Sequence, residues 1–171
     1  NLSIPQAQAI GYYTAIHSQI IGITALSAEL AVNGHVANAL TAYYNFLEGK
    51  ERAGVERAVL SNVFANDKFT PEGFNRFLTL VNEQNTYFSV FSKFADAQLL
   101  SRYNNALKHS SMQQVAEKRK IAISKSATGE FGVDSEQWFA QATDRINQLK
   151  KVEDNIADYI QQLTERLAAS A

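Results

Sequence analysis

Proline occurs only twice in 171 residues, at Pro5 and Pro71. Its ring removes a backbone donor and breaks a helix anywhere beyond the first turn. The rest of the chain is therefore free of its strongest helix breaker. Apolar residues recur at spacings of three and four rather than in alternation, which is the helical period. A chain of this kind is driven toward long helices joined by short turns, and such helices pack as a bundle.

The turn signals divide it further. A first helix is expected over residues 5–31, with Pro5 in its first turn, followed by the turn Asn33-Gly34-His35. A second spans 36–65 and ends at Asn66-Asp67-Lys68-Phe69. The next start is well marked, with Thr70 as N-cap, Pro71 at N1 and Glu72 at N2, where its charge meets the positive helix end. This third helix carries Phe74, Phe77, Val81, Phe88 and Phe91 and is expected to reach about Lys108. Ser110 or Ser111 would cap a shorter helix to about 126. Residues 127–135, with Gly129 and Gly132, form a loop, and Ser135 or Asp134 caps a last helix over 136–168. That helix has a heptad-like seam through Ala142, Ile146, Leu149, Ile156, Ile160 and Leu163, interrupted by Glu153. The fold class is all-α: an elongated helical bundle with a four-helix-bundle-like core and an additional shorter helix, as one domain over 1–171. The seam would serve as a bundle contact, a dimer contact or both.

Composition removes several function classes. Sixteen basic against seventeen acidic residues give a net charge of -1, without the basic excess of a nucleic-acid surface. There is no cysteine, hence no disulfide, thiolate nucleophile or cysteine metal site. His17, His35 and His109 have no second ligand at helical spacing, so no metal is expected. Gly49-Lys50 lacks the rest of a phosphate loop, and no G-x-S-x-G elbow occurs. Neither a cofactor nor an enzyme activity is expected. The cluster Lys108, Lys118, Arg119, Lys120 and Lys125, opposed by Glu117 alone, reads as a solvated face. The most apolar stretch, 10–26, is broken by His17, Ser18 and Gln19 and is not a membrane span. A chain opening at Asn1 reads as a segment of a longer protein whose targeting and anchoring lie outside it.

One stretch stands apart, Lys50-Glu51-Arg52-Ala53-Gly54-Val55-Glu56-Arg57-Ala58. Gly54 falls in mid-helix, where glycine costs about 1 kcal/mol relative to alanine, and suits a place where a backbone or a ligand comes close. Arg52 has Glu48 and Glu56 at four-residue spacing and can be satisfied on the helix surface. Arg57 has only Ala53, Gly54, Leu60 and Ser61 at those positions. It is either exposed to solvent, or its counter-charge is a carboxylate on another helix or a bound anion. Arg145 shares the pattern more weakly, beside the seam.

At these residues the chain resembles the nitrate- and nitrite-sensing (NIT) domain family. The similar stretches are Lys50-Glu51-x-Ala53-Gly54-x-Glu56-Arg57-Ala58, then Phe69-Thr70-Pro71-Glu72 and Glu83-Gln84. Trp138-Phe139-x-x-Ala142-Thr143-x-Arg145-Ile146 and Val152-Glu153-Asp154 follow. Ala53-Gly54-x-x-Arg57 is also similar to the nitrate motif of periplasmic sensor-kinase domains, where it lies on a helix at a dimer interface. The resemblance implies an all-helical input module. One nitrate would sit between paired helices of a homodimer, held by Arg57, with Ala53 and Gly54 shaping the site, Ser61 as a hydroxyl donor and Arg145 as a second candidate. It further implies the periplasmic domain of a membrane-anchored chemoreceptor. The alternatives are nitrite or a small carboxylate as ligand, a sensor kinase or cytoplasmic regulator as parent, and a helical dimerisation module that binds nothing.

Overall fold

A 33-residue helix, α1 (Gly34–Asn66), is the element against which the other long helices pack. The computed structural model describes residues 34–170; the helix expected over 5–31 lies outside the described residues. Helix α1 stops at Asp67, which turns into the left-handed region at φ 51°. Helix α2 (Pro71–Phe94) then begins as its cap residues require. The Thr70 hydroxyl accepts from the Gly73 N–H at 3.0 Å, and Pro71 occupies the first turn.

The helix expected to continue to Lys108 is in fact two. Ala95 is extended, with ψ 141°, and the Asp96 side chain accepts from the Leu99 N–H at 2.8 Å, so that α3 (Ala97–Ala106) starts afresh. Aspartate competes for backbone donors in this way more readily than it serves a helix interior. The break re-aims Leu99 and Tyr103 into the core. Helix α4 (Ser110–Ser124) is capped by His109 rather than by a serine: the ring Nδ1 accepts from the Ser111 N–H at 3.2 Å. Helix α5 (Ser135–Ser170) starts behind Asp134, whose carboxylate accepts from the Gln137 N–H at 2.7 Å. Its 36 residues make a rod about 54 Å long. The described residues form an all-α bundle, with α1 packed on both α2 and α5, and α3 and α4 against α5.

Two apolar clusters fill the bundle. In one, the rings of Phe46, Phe88, Phe91 and Tyr103 meet with centroids 4.9–5.9 Å apart, and Leu149 and Ile156 of α5 close over them. Gly49 makes this possible, because a Cβ there would come within 2.8 Å of the Phe88 ring. In the other, Leu60, Phe64, Phe77, Phe131 and Trp138 pack together. The seam residues Ala142, Leu149, Ile156 and Ile160 are all buried, so this stretch of the seam is a bundle contact. The charge that interrupts it, Glu153, is buried and paired with buried Lys50 of α1.

The turn after α1 and the loop before α5 are locked together at one end of the bundle. The Asp67 carboxylate accepts from the Phe131 N–H at 2.9 Å. Gly129 (φ 70°) sits so close to Asp67 that an added Cβ would collide with its carbonyl oxygen, whereas Gly132 (φ 65°) faces open space. Forcing a side chain into this backbone region costs about 1–3 kcal/mol. Gly132→Ala should show that cost alone, and Gly129→Ala should lose more because the clash adds to it. Thermal unfolding of the two variants checks this; equal losses would show that the Asp67 turn yields freely.

Candidate functional site

Arg57 lies half-buried between α1 and α5. Its Nη1 donates to the Thr143 hydroxyl at 2.8 Å, and its guanidinium carbon lies 4.5 Å from the centre of the Phe139 ring. Its Nε is buried and has no hydrogen-bond partner among the described residues. No carboxylate among them comes within ion-pair distance of it. Burial alone pushes its pKa down, with no charge to oppose the effect. Among the described residues the guanidinium is thus held against α5 by a hydroxyl and a ring, and by no carboxylate.

The other expected residues divide around it. Gly54 is partly exposed, and a Cβ at that position would meet nothing within 4 Å. Packing among the described residues does not demand glycine there. Ala53 faces the other way and is buried in the first apolar cluster. The Ser61 hydroxyl donates to the Arg57 carbonyl oxygen at 2.7 Å, the same oxygen that accepts from Trp138 Nε1 at 3.0 Å. Ser61 and Trp138 therefore fix the backbone beneath Arg57, and the serine's proton is already engaged.

Arg145 belongs to a different constellation, centred on Glu56. The Glu56 carboxylate, 1% exposed, accepts two bonds from Arg119 of α4, at 2.5 and 2.7 Å, and one from Gln84 Nε2 of α2 at 2.8 Å. Gln84 Oε1 accepts in turn from Arg119 at 3.1 Å and from Arg145 at 2.9 Å. Arg145 itself stands 3.9 Å from Glu56. Two readings of single helices are corrected here. Glu56 does not pair with Arg52 on the surface; it points inward, and Arg52 takes Glu48 and Glu83 instead. Arg119 does not belong to a solvated cationic face, because the inward carboxylate claims it.

The electrostatics of this quartet are strongly coupled. Burial would raise the Glu56 pKa, but the hydrogen bond and charge of Arg119, the charge of Arg145 and the Gln84 bond outweigh it, and the carboxyl is held below its usual range. Arg145 is pushed down to about 10, first by burial and then by the positive charge of Arg119, with Glu56 pulling the other way. Arg119 and Arg145 also line an open cleft of about 370 Å³ with Asn85, Ser89, Ser92 and Tyr103; Arg57 is not among its walls. No three metal-ligating side chains cluster among the described residues.

The residues that meet in these two places (Glu56, Arg57, Gln84, Phe139, Thr143, Arg145) come from the stretches that carry the family resemblance. The family model for nitrate and nitrite sensing, NIT, matches residues 1–161. The chain belongs to this family. It is similar to the nitrate regulatory protein of Klebsiella oxytoca, at 24% identity over 151 residues, which is 88% of this chain. The matched region is 38% of that protein's length, so the relative is much the longer of the two. No solved structure matches the chain. In this NIT domain the sequence had pointed to Arg57 and Arg145. Arg119, Thr143 and the inward course of Glu56 are legible only once the helices are packed.

The pH dependence of folding follows from Glu56. A carboxyl with a folded-state pKa below its unfolded one contributes stability that is fully present above about pH 4.3. That contribution is lost as pH falls through the lower folded value. Removing one member of a buried pair costs about 3–5 kcal/mol, so Glu56→Gln should lower stability by that order at pH 7 and flatten the acid limb of the stability curve. Urea unfolding of both proteins between pH 3 and 7 measures it; an acid limb of unchanged steepness would show that Glu56 is not the titrating group.

Proposed function

We propose that this NIT domain binds nitrate through Arg57 at a two-fold interface between α1 helices of two chains. Supporting this is one observation above others: a half-buried guanidinium whose buried Nε has no partner, and which has no carboxylate beside it, among the described residues. Two such groups facing each other across a dimer axis repel. A planar monoanion between them removes the repulsion and accepts forked hydrogen bonds from both. Gly54, one turn earlier and open on its outer side, leaves room for the second helix or the ligand. Arg145 then serves the Glu56 layer rather than this site within one chain.

Occupancy would favour the dimer, or one offset of its helices, because a ligand shifts an equilibrium only by its difference in affinity for the two states. Arg57 is bonded to Thr143 on α5, so that helix is the path out of the domain. The parent protein in this reading is a membrane-anchored chemoreceptor with the domain in the periplasm. No helix among the described residues is long and apolar enough to cross a membrane, so the anchors would be other segments.

The decisive experiment is thermal unfolding with sodium nitrate against sodium chloride at equal ionic strength. Ligand at about 100 times its dissociation constant stabilises by about 2.7 kcal/mol, which raises Tm by about 5–10 °C in a domain of this size. That rise should appear with nitrate and vanish in Arg57→Ala, and a nitrate response that survives the substitution would remove the assignment. Gly54→Ala separates folding from binding. Filling open space in mid-helix should stabilise the unliganded domain by up to about 1 kcal/mol while weakening the nitrate response. A variant stabilised and fully responsive would free Gly54 from any part in the site.

A further inference from the structure

The cleft lined by Arg119 and Arg145 is separate from the Arg57 site, and three of its features do not follow from nitrate sensing. Its charge is unbalanced. Among the described residues the two guanidiniums share one carboxylate, Glu56, which leaves one of their positive charges uncompensated. Both arginines remain partly open to the cleft, at 17% and 11% side-chain exposure. Glu56 takes a two-pronged grip on Arg119, whereas Arg145 donates to a neutral amide oxygen, that of Gln84.

The walls are also mixed in a particular way. Asn85, Ser89, Ser92 and Tyr103 add polar groups to the lining, and Tyr103 lies near enough to Arg145 to feel its charge. Burial raises the Tyr103 pKa against the opposing charge of Arg145, so its hydroxyl stays protonated and able to donate. Phe88, Leu107 and Met112 supply apolar surface. Leu107 is 42% exposed, a large apolar side chain left open at the cleft. Finally, the open cleft offers about 370 Å³, far more than a four-atom anion fills.

We propose that this cleft binds a small organic monocarboxylate, its carboxylate on Arg145 and Arg119 and its short apolar tail against Phe88, Leu107 and Met112. The single uncompensated charge selects a monoanion, since a dianion would reverse the imbalance rather than cancel it. Arginine presents the planar fork that a carboxylate fits. The apolar wall distinguishes a carboxylic acid with a tail from nitrate. The helices that meet at the cleft, α2, α3, α4 and α5, include the one that carries Thr143, so a carboxylate there would act on the same output helix as the anion at Arg57.

Calorimetric titration of the domain with sodium acetate, propionate, butyrate and succinate tests this. Affinity should rise about fourfold per methylene from acetate to butyrate, the factor expected for burying each added CH₂. Succinate should bind more weakly than butyrate. Leu107→Glu places a negative charge at the cleft without touching the core, so it should keep the Tm of the unliganded domain and weaken butyrate at least tenfold. Arg57→Ala should bind butyrate normally, and Leu107→Glu should keep its nitrate response, which separates failure here from failure of the nitrate reading. No detectable binding, a flat series, full butyrate affinity in Leu107→Glu, or loss of butyrate in Arg57→Ala would each overturn the proposal.

Discussion

Glu56 is a buried carboxylate on the central helix, and the bundle is organised around keeping it charged. Moving such a group from water into the interior costs several kcal/mol after relaxation. The cost is met by Arg119 from α4, by Gln84 from α2 and, at longer range, by Arg145 from α5. Each partner comes from a different helix, so the carboxylate is satisfied only when all four helices stand at the right height. Apolar packing alone would tolerate sliding by a turn. The polar layer does not, because a slip strands a charge.

Its position along each helix makes the same point. On α1 the layer falls between Ala53 of one apolar cluster and Leu60 of the other; on α2, between Phe88 and Phe77; on α5, between Leu149 and Ala142. The core is thus two greasy compartments divided by a charged plate. Lys50 and Glu153 repeat the device within the first compartment, again pairing α1 with α5. Such pairs add little net stability, since their gain is largely consumed by desolvation. Their use here is to define register between α1 and α5 at two heights.

What could be read in advance follows from how local each cause is. Thr70-Pro71 announces a helix start because capping and a fixed φ involve neighbours in sequence. Arg57 is legible for the same reason, because its lack of a local partner is a property of its own helix. The break at Ala95-Asp96 was hidden, because an aspartate between apolar residues can ride on a helix surface equally well, and only the burial of Leu99 and Tyr103 decides the matter. A valid local rule points Glu56 the wrong way: four residues from Arg52 it has the spacing of a surface pair. Arg119 was lost among lysines. Its assignment needs Glu56 to point inward, and that direction is set by four helices at once.

Arg57 follows Glu56 directly, and one residue turns a helix by about 100°. The adjacent side chains therefore leave α1 in different directions, one to an internal carboxylate layer and one to a place with no carboxylate among the described residues. Both directions end on α5, at Arg145 and at Thr143, two residues apart. Helix α5 contains neither glycine nor proline, so it has none of the usual points of bending. A displacement imposed at Thr143 cannot be absorbed locally; it must either be resisted by the Glu56 layer and the Lys50–Glu153 pair or move the helix as a body. On the proposed reading this is what makes a small anion an adequate signal. Its binding energy bears on one rigid element whose height is set by a few discrete ion pairs.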